Sequence, residues 1–214
     1  MAKRPDVLDH TVLGVLTDGP LHGYELRKRL TAILGPFRAL SFGSLYPCLH
    51  RLSDRGWVEQ LDSVPRSELA STVTVATKRA RVVYALTADG KEAFADWVDS
   101  TGPESWEDEA FAARMAFFSR TDAQVRLRIL EGRRARLEER LKALEESISR
   151  TSERMDMYSE RLQRHGIEGA EREVGWLEEL IDTERGARQA RRQARQVRKQ
   201  AQPGSASAAT TKRK

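Results

Sequence analysis

The chain has 214 residues, is 39% hydrophobic, carries a net charge of +5 and holds a single cysteine, Cys48. That composition excludes a disulfide framework within one chain, and it fits two modest cores, or one core with long exposed helices, better than one large globule. No apolar run approaches the roughly 18 residues of a membrane span, and residues 1–6 lack the apolar stretch of a signal peptide, so a cytoplasmic protein with no membrane partner is expected.

The charge is unevenly spread. Residues 1–90 hold 12 Lys and Arg against 9 Asp and Glu, residues 91–187 hold 16 against 23, and residues 188–214 hold 9 against none. A basic front, an acidic middle and a basic end point to a polyanion reader joined to a domain that does not touch the polyanion.

Leu8, Val12, Val15 and Leu16 recur at helical spacing and stop at Asp18-Gly19-Pro20, which predicts a core-forming helix over about residues 7–17. A second helix is predicted to begin near His22, with Leu26 and Leu30 inward and Arg27, Lys28 and Arg29 outward, and to break at Gly35-Pro36. His22, beside Gly23 at a helix start, reads as a turn residue rather than a nucleic-acid ligand. The third helix is expected to start near Gly43 or Ser44, because proline lacks an amide hydrogen and Pro47 is tolerated only close to the first turn. It turns Leu45, Leu49 and Leu52 inward with Cys48 beside them, and Tyr46, His50 and Arg51 outward, until Asp54-Arg55-Gly56 closes it. Two short amphipathic helices in tandem, the second opening on small and hydroxylated residues, are the parts of a helix-turn-helix reader of duplex DNA. Ser41 and Ser44 lie where a helix start favours an anion. His50 and Arg51 follow, and Arg51 can reach guanine or phosphate, or else pair with a neighbouring carboxylate.

Two strand-like runs come next, at residues 57–61 and 82–86, and would form a wing. Their connection of about twenty residues is long for a hairpin, with Leu61 to Ala76 reading as an insertion and Lys78, Arg79 and Arg81 placed to approach phosphates. Thr87 is expected to cap a helix through Phe94, Trp97 and Val98 that ends at Gly102-Pro103. Phe111, Met115 and Phe118 share one face of a segment starting near Trp106. A longer helix then starts near Thr121 or Asp122. Its Leu130, Leu137, Leu141, Leu144, Ile148, Met155 and Leu162 follow alternating three- and four-residue steps with gaps at Arg134 and Thr151, a coiled-coil seam that needs a partner helix and is ended by His165-Gly166. A last helix carries Val174, Leu177 and Ile181, with Trp176 and Leu180 beside them. From Arg188 the chain is rich in Arg and Gln, and residues 203–214 read as disordered. The tail either adds nonspecific DNA affinity or is a solvated extension.

The fold class expected is therefore mainly α with a small β-wing: a winged helix-turn-helix over residues 1–100, a helical coiled-coil-like dimerisation domain over 104–190, and a basic tail over 191–214. Phe94, Trp97, Trp106, Phe111, Met115 and Phe118 form either core or interface, or a pocket for a planar, partly apolar effector between the wing domain and the dimer helices.

Residues 8–98 resemble the PadR family of bacterial transcriptional regulators. The matching residues are Leu13-Gly14-Val15-Leu16, then Gly19-Pro20-Leu21-His22-Gly23-Tyr24-Glu25-Leu26, then Gly43-Ser44-Leu45-Tyr46-Pro47 with Leu49, Arg51-Leu52 and Gly56, and Tyr84-Ala85-Leu86-Thr87 before Gly90. The second half is similar to the large helical C-terminal region of one PadR subgroup, through Glu109-Ala110-Phe111 to Phe118 and Gly175-Trp176-Leu177-Glu178-Glu179-Leu180. The resemblance implies a homodimeric repressor, released in some members by a small effector, with Tyr46 and Tyr24 contacting backbone phosphate. It implies no cofactor. The expected function is that of a sequence-specific DNA-binding repressor on a pseudopalindromic operator, nucleoid-associated when bound. The alternative is a winged-helix and coiled-coil adaptor that binds protein. An enzyme is not expected, since four scattered histidines and one cysteine form no catalytic or metal-binding spacing.

Overall fold

The computed structural model describes residues 7–34, 42–62, 82–151 and 156–200. They are mainly helical, with one small antiparallel sheet. The chain divides into two compact units, Met1–Arg133 and Arg134–Lys214.

The first unit is built around α1 (Val7–Leu16), whose Leu8, Val12, Leu13, Val15 and Leu16 are all buried. A helix apolar on most of its surface belongs at the centre of a core. Gly14 lies on this helix where an added Cβ would overlap the rings of Phe117 and Phe94, so its lack of a side chain lets two aromatics close on the backbone. The chain leaves α1 through Gly19, at φ 135°, a conformation that glycine adopts without steric penalty. It then forms β1 (Leu21–His22) and α2 (Gly23–Leu34), which buries Leu26, Leu30 and Leu34.

Next, α3 (Phe42–Asp54) buries Leu45, Cys48, Leu49 and Leu52. It begins a residue or two earlier than expected, so Pro47 lies in its second turn. The missing N–H deprives the carbonyl of Gly43 of a helical partner, and Gly43 is exposed, so water can serve that oxygen. The helix stops as the sequence indicates. Gly56 takes φ 72°, its amide bonds to Ser53 O at 2.9 Å and that of Trp57 to Leu52 O at 2.9 Å, a Schellman cap that only glycine accommodates cheaply.

Strands β2 (Val58–Asp62) and β3 (Val82–Leu86) are antiparallel, with Val58 opposite Leu86 and Asp62 opposite Val82. The other edge of β3 takes β1, Leu21 opposite Tyr84 and His22 opposite Val83. His22 therefore sits in a short strand rather than opening the second helix. This order of helices and strands is a winged helix-turn-helix. Thr87 caps α4 (Ala88–Asp99), its hydroxyl accepting from the Gly90 amide at 3.0 Å and donating to Gly56 O at 2.7 Å.

Two short 3-10 turns, Pro103–Trp106 and Phe118–Arg120, flank α5 (Asp108–Met115). Because α5 stops at Met115, Phe117 and not Phe118 is the aromatic that enters the core; Phe118 is half-buried.

Helix α6 (Ala123–Thr151) begins in the first unit and continues into the second, which also holds α7 (Met157–Gln200). The helix expected to run past residue 160 and stop at His165-Gly166 is thus divided earlier. Asp156 starts α7 by accepting from the amides of Tyr158 at 2.8 Å and Ser159 at 3.1 Å. Gly166 lies inside α7, where glycine costs only about 1 kcal/mol relative to alanine. That is too little to end a helix of this length. The same helix runs on to Gln200, past the expected start of the basic tail.

Candidate nucleic-acid interface

The burial pattern of α3 separates two sides. Leu45, Cys48, Leu49 and Leu52 anchor it, and Gly43, Pro47 and His50 are exposed, with Ser44, Tyr46 and Arg51 half-buried between. The first amides of the helix have no intrahelical acceptor, which makes this end receptive to phosphate. Ahead of it on α2, Tyr24 is 71% exposed. Ser41, Lys78, Arg79 and Arg81 lie outside the described residues, as does nearly all of the long wing connection.

Tyr46 packs against the core: a Cβ on Gly23 would stand 3.5 Å from its hydroxyl and 3.7 Å from the ring of Tyr84. The phenol of Tyr84 has its pKa raised by burial and, secondarily, by the nearby Tyr46. Tyr46 therefore steadies the junction of α2, α3 and β3 while part of it faces solvent.

Arg51 pairs with a carboxylate, one of the two roles its position allowed. Its Nη2 lies 2.5 Å from Asp9 Oδ1, and Arg55 Nη1 lies 3.5 Å from the other oxygen. Asp9 is 1% exposed, on α1. Arg55 also stacks over Trp57, 5.1 Å from the ring centroid. One buried carboxylate thus ties the last turn of α3 to the central helix and fixes the helix that would enter a groove. Asp9 carries no signal in the sequence beyond being a polar residue within an apolar helix.

The six aromatic and Met positions of the candidate effector pocket lie in different surroundings. Phe94 makes an edge contact with Phe117, ring centroids 5.2 Å apart, inside the core. Trp106 covers Gly132, and Arg133 donates to its carbonyl at 2.6 Å while lying 5.4 Å above the Phe111 ring. Met115 and Phe118 are half-buried. Trp97 alone of the six lines a pocket of about 390 Å³, with Val7, His10, Ser100, Glu104, Ala110 and Arg114. His10 stacks on Trp97 at 5.0 Å and the Arg114 guanidinium lies 4.5 Å from its ring centre. Arg114 donates to the carbonyls of Trp97 at 2.7 Å and Ser100 at 2.9 Å and to the Ser100 hydroxyl at 2.6 Å. Burial lowers its pKa to about 10, against the opposing pull of Glu104. The signal for it in the sequence is a lone arginine between Phe111 and Met115 on an otherwise apolar face.

Of the residues of the seam and of the last helix expected to take part in dimerisation, Leu130, Leu137 and Leu177 are buried, Leu141, Leu144, Ile148 and Leu180 are half-buried, and Met155 lies outside the described residues. Leu162 and Trp176 are 71% and 43% exposed. Arg134 approaches Glu178 at 4.0 Å, an ion pair between α6 and α7 within the second unit. No helix among the described residues is long and apolar enough to cross a membrane.

In comparison with known proteins, residues 12–96 match the transcriptional regulator PadR-like family. The negative transcriptional regulator PadR of Bacillus subtilis (strain 168) is 30% identical over 115 residues, covering 53% of this chain and 57% of that protein. The chain thus matches little more than half the length of this relative. Similar crystal structures include Bacillus subtilis PadR with operator DNA, at 24% identity and TM-score 0.38, and with p-coumaric acid, at 23% and 0.37; both cover 84% of this chain and 99% of the other.

Proposed function

We propose that the protein is a sequence-specific DNA-binding repressor, a regulator and not an enzyme, which acts in the cytoplasm as a homodimer on a pseudopalindromic operator. The observation that carries this reading is α3: a short helix anchored on one side by four buried residues, with its open start and His50 facing away, on a domain of a regulator family. The DNA contacts assigned are Tyr24, Ser41, Ser44, Tyr46 and His50, with Lys78, Arg79 and Arg81 from the wing. Arg51 joins them if it trades Asp9 for a phosphate or guanine. The name of the Bacillus subtilis relative supports repression over activation.

Dimerisation is assigned to the helical segment 104–190, with residues 1–100 as the reader. Tyr158, Leu162, Trp176 and Leu180 of α7 fall within about 40° of one another around a helix of 3.6 residues per turn. Three of these are exposed. Such a stripe on an otherwise charged helix is the face a second copy would cover. Two copies related by a twofold axis would present their α3 helices one turn of B-DNA apart, about 34 to 36 Å.

The pocket at Trp97 is assigned to a small planar effector. Its volume lies in the range of small-molecule sites, Trp97 lines it with His10 and Arg114 packed on the ring, and half-buried His10 and exposed Glu104 supply polar groups at the rim. Release would follow if the effector favours a dimer whose half-site spacing no longer fits the operator.

The test is to recover chromosomal fragments bound by the protein and titrate the enriched sequence against a scrambled one. A twofold repeat bound by two chains, with affinity falling steeply as salt rises, is expected. Absence of an enriched repeat, or binding insensitive to salt, would favour the protein-binding adaptor instead.

A further inference from the structure

We propose that the end of α7 is a second DNA contact, one that grips the phosphate backbone without reading sequence. From Arg185 to Lys214 the chain has ten Lys and Arg and no Asp or Glu. The structure shows what the composition does not: the first part of this segment is helix, through Gln200. Arg185, Arg188, Arg191, Arg192 and Arg195 therefore fall on one face, about 120° wide at 3.6 residues per turn. Ala187, Ala190 and Ala194 occupy another face, and Gln189, Gln193 and Gln196 a third. Arg191, Arg192 and Arg195 are exposed and Arg188 half-exposed, and among the described residues none of these four is ion-paired.

A cationic face of this kind works against its own helix. Arg188 with Arg192, and Arg191 with Arg195, are like charges four residues apart, and each such pair disfavours the helical state. A polyanion laid along the face removes that repulsion and releases its own counterions. Duplex DNA fits better than the other polyanions. The face spans about 15 Å at 1.5 Å per residue, and it meets a backbone with one charge per roughly 1.7 Å of axis. There is no aromatic residue after Trp176 to stack on single-stranded bases. No broad apolar side accompanies the cations, as a helix lying in a lipid surface requires.

The proposal rests on the DNA-binding reading above for its partner, and the experiment keeps the two apart. Binding of the full chain to a random-sequence 30-base-pair duplex is measured from 50 to 200 mM salt, beside Arg188, Arg191, Arg192 and Arg195 replaced together by Gln, and by Lys. Gln keeps helix propensity close to that of Arg, and circular dichroism with molar mass checks that the fold and assembly are unchanged. Losing four phosphate contacts should make the slope of log affinity against log salt shallower by about 3 to 4 for each bound chain. The parent should then lose roughly a hundredfold more affinity over that range than the Gln variant. The Lys variant should keep the parent slope. Equal slopes for parent and Gln variant would overturn the proposal while leaving operator recognition standing. So would a Gln variant whose only change is a smaller assembly, since the face would then pair with an acidic surface of another copy. Absence of enriched operator, with the slope change intact, would sink the repressor reading alone.

Discussion

Asp9 shows how one side chain can serve both stability and recognition. A carboxylate that is almost fully buried is costly unless paired, and here it holds Arg51 and Arg55 from the end of α3. Replacing Asp9 by Ala takes this shared acceptor from two guanidinium groups. We predict a loss of about 3 kcal/mol in urea unfolding, the lower end of what breaking a buried pair costs because Arg51 is partly solvated. Tyr24 is the opposite case. It is exposed and anchors nothing, so Tyr24→Ala should change stability by no more than about 0.5 kcal/mol. If its hydroxyl meets a phosphate, duplex binding should still weaken roughly three- to tenfold, the worth of one hydrogen bond; unchanged affinity in a fluorescence titration would remove Tyr24 from the interface. Gly14 tests the core. Gly14→Ala places a methyl against Phe117 and Phe94, and overpacking of that kind should cost about 1 to 3 kcal/mol, read as a lower urea midpoint.

At the scale of elements, what could be read from the sequence depended on whether the signal was local. The ends of α1, α3 and α4 were legible to within a residue or two because Gly19-Pro20, Gly56 and Thr87 each act on their own backbone. Strand β1 was not. Two residues have no periodicity, and their partners Val83 and Tyr84 lie some sixty residues on. The pocket was barely legible for a related reason: its walls come from α1, α4 and α5, and only Trp97 announced itself. The division between α6 and α7 falls earlier than His165-Gly166 because an aspartate able to cap starts a helix more surely than an interior glycine ends one. The Asp156 carboxyl has its pKa lowered by its bond with the Ser159 hydroxyl, and then by the amides of Ser159 and Tyr158. A depressed carboxyl contributes stability that is present above its unfolded pKa near 3.8 and is lost as the pH falls through the folded value. Protection of the Tyr158 and Ser159 amides, relative to their intrinsic exchange rates, should therefore fall as the pH drops below about 4, and Asp156→Ala should show the reduced protection already at neutral pH. Slow exchange in that variant would mean that packing, not the cap, starts the helix.

For the whole molecule, the arrangement of charge and apolar surface divides the labour. The first 90 residues are basic, residues 91–187 are acidic and the end of α7 is basic again, and the exposed stripe on α7 is the surface on which, in the proposed dimer, two readers would be joined. Leu162 and Trp176 are exposed, so replacing both by Glu should cost the single chain little. In a twofold assembly each change appears twice. Burial of a large apolar side chain is worth about 1.5 to 3 kcal/mol, and four charges would have to be desolvated in their place. The double variant should therefore be monomeric at micromolar concentration in light scattering, with its helical circular dichroism retained. Its operator affinity should fall by more than a hundredfold, because two reader domains no longer bind as one ligand. The paired variant Leu141→Glu with Leu144→Glu separates the two candidate surfaces. Both residues are half-buried on α6, so if they alone join the copies, that variant will be the monomer and the α7 variant will remain a dimer on DNA.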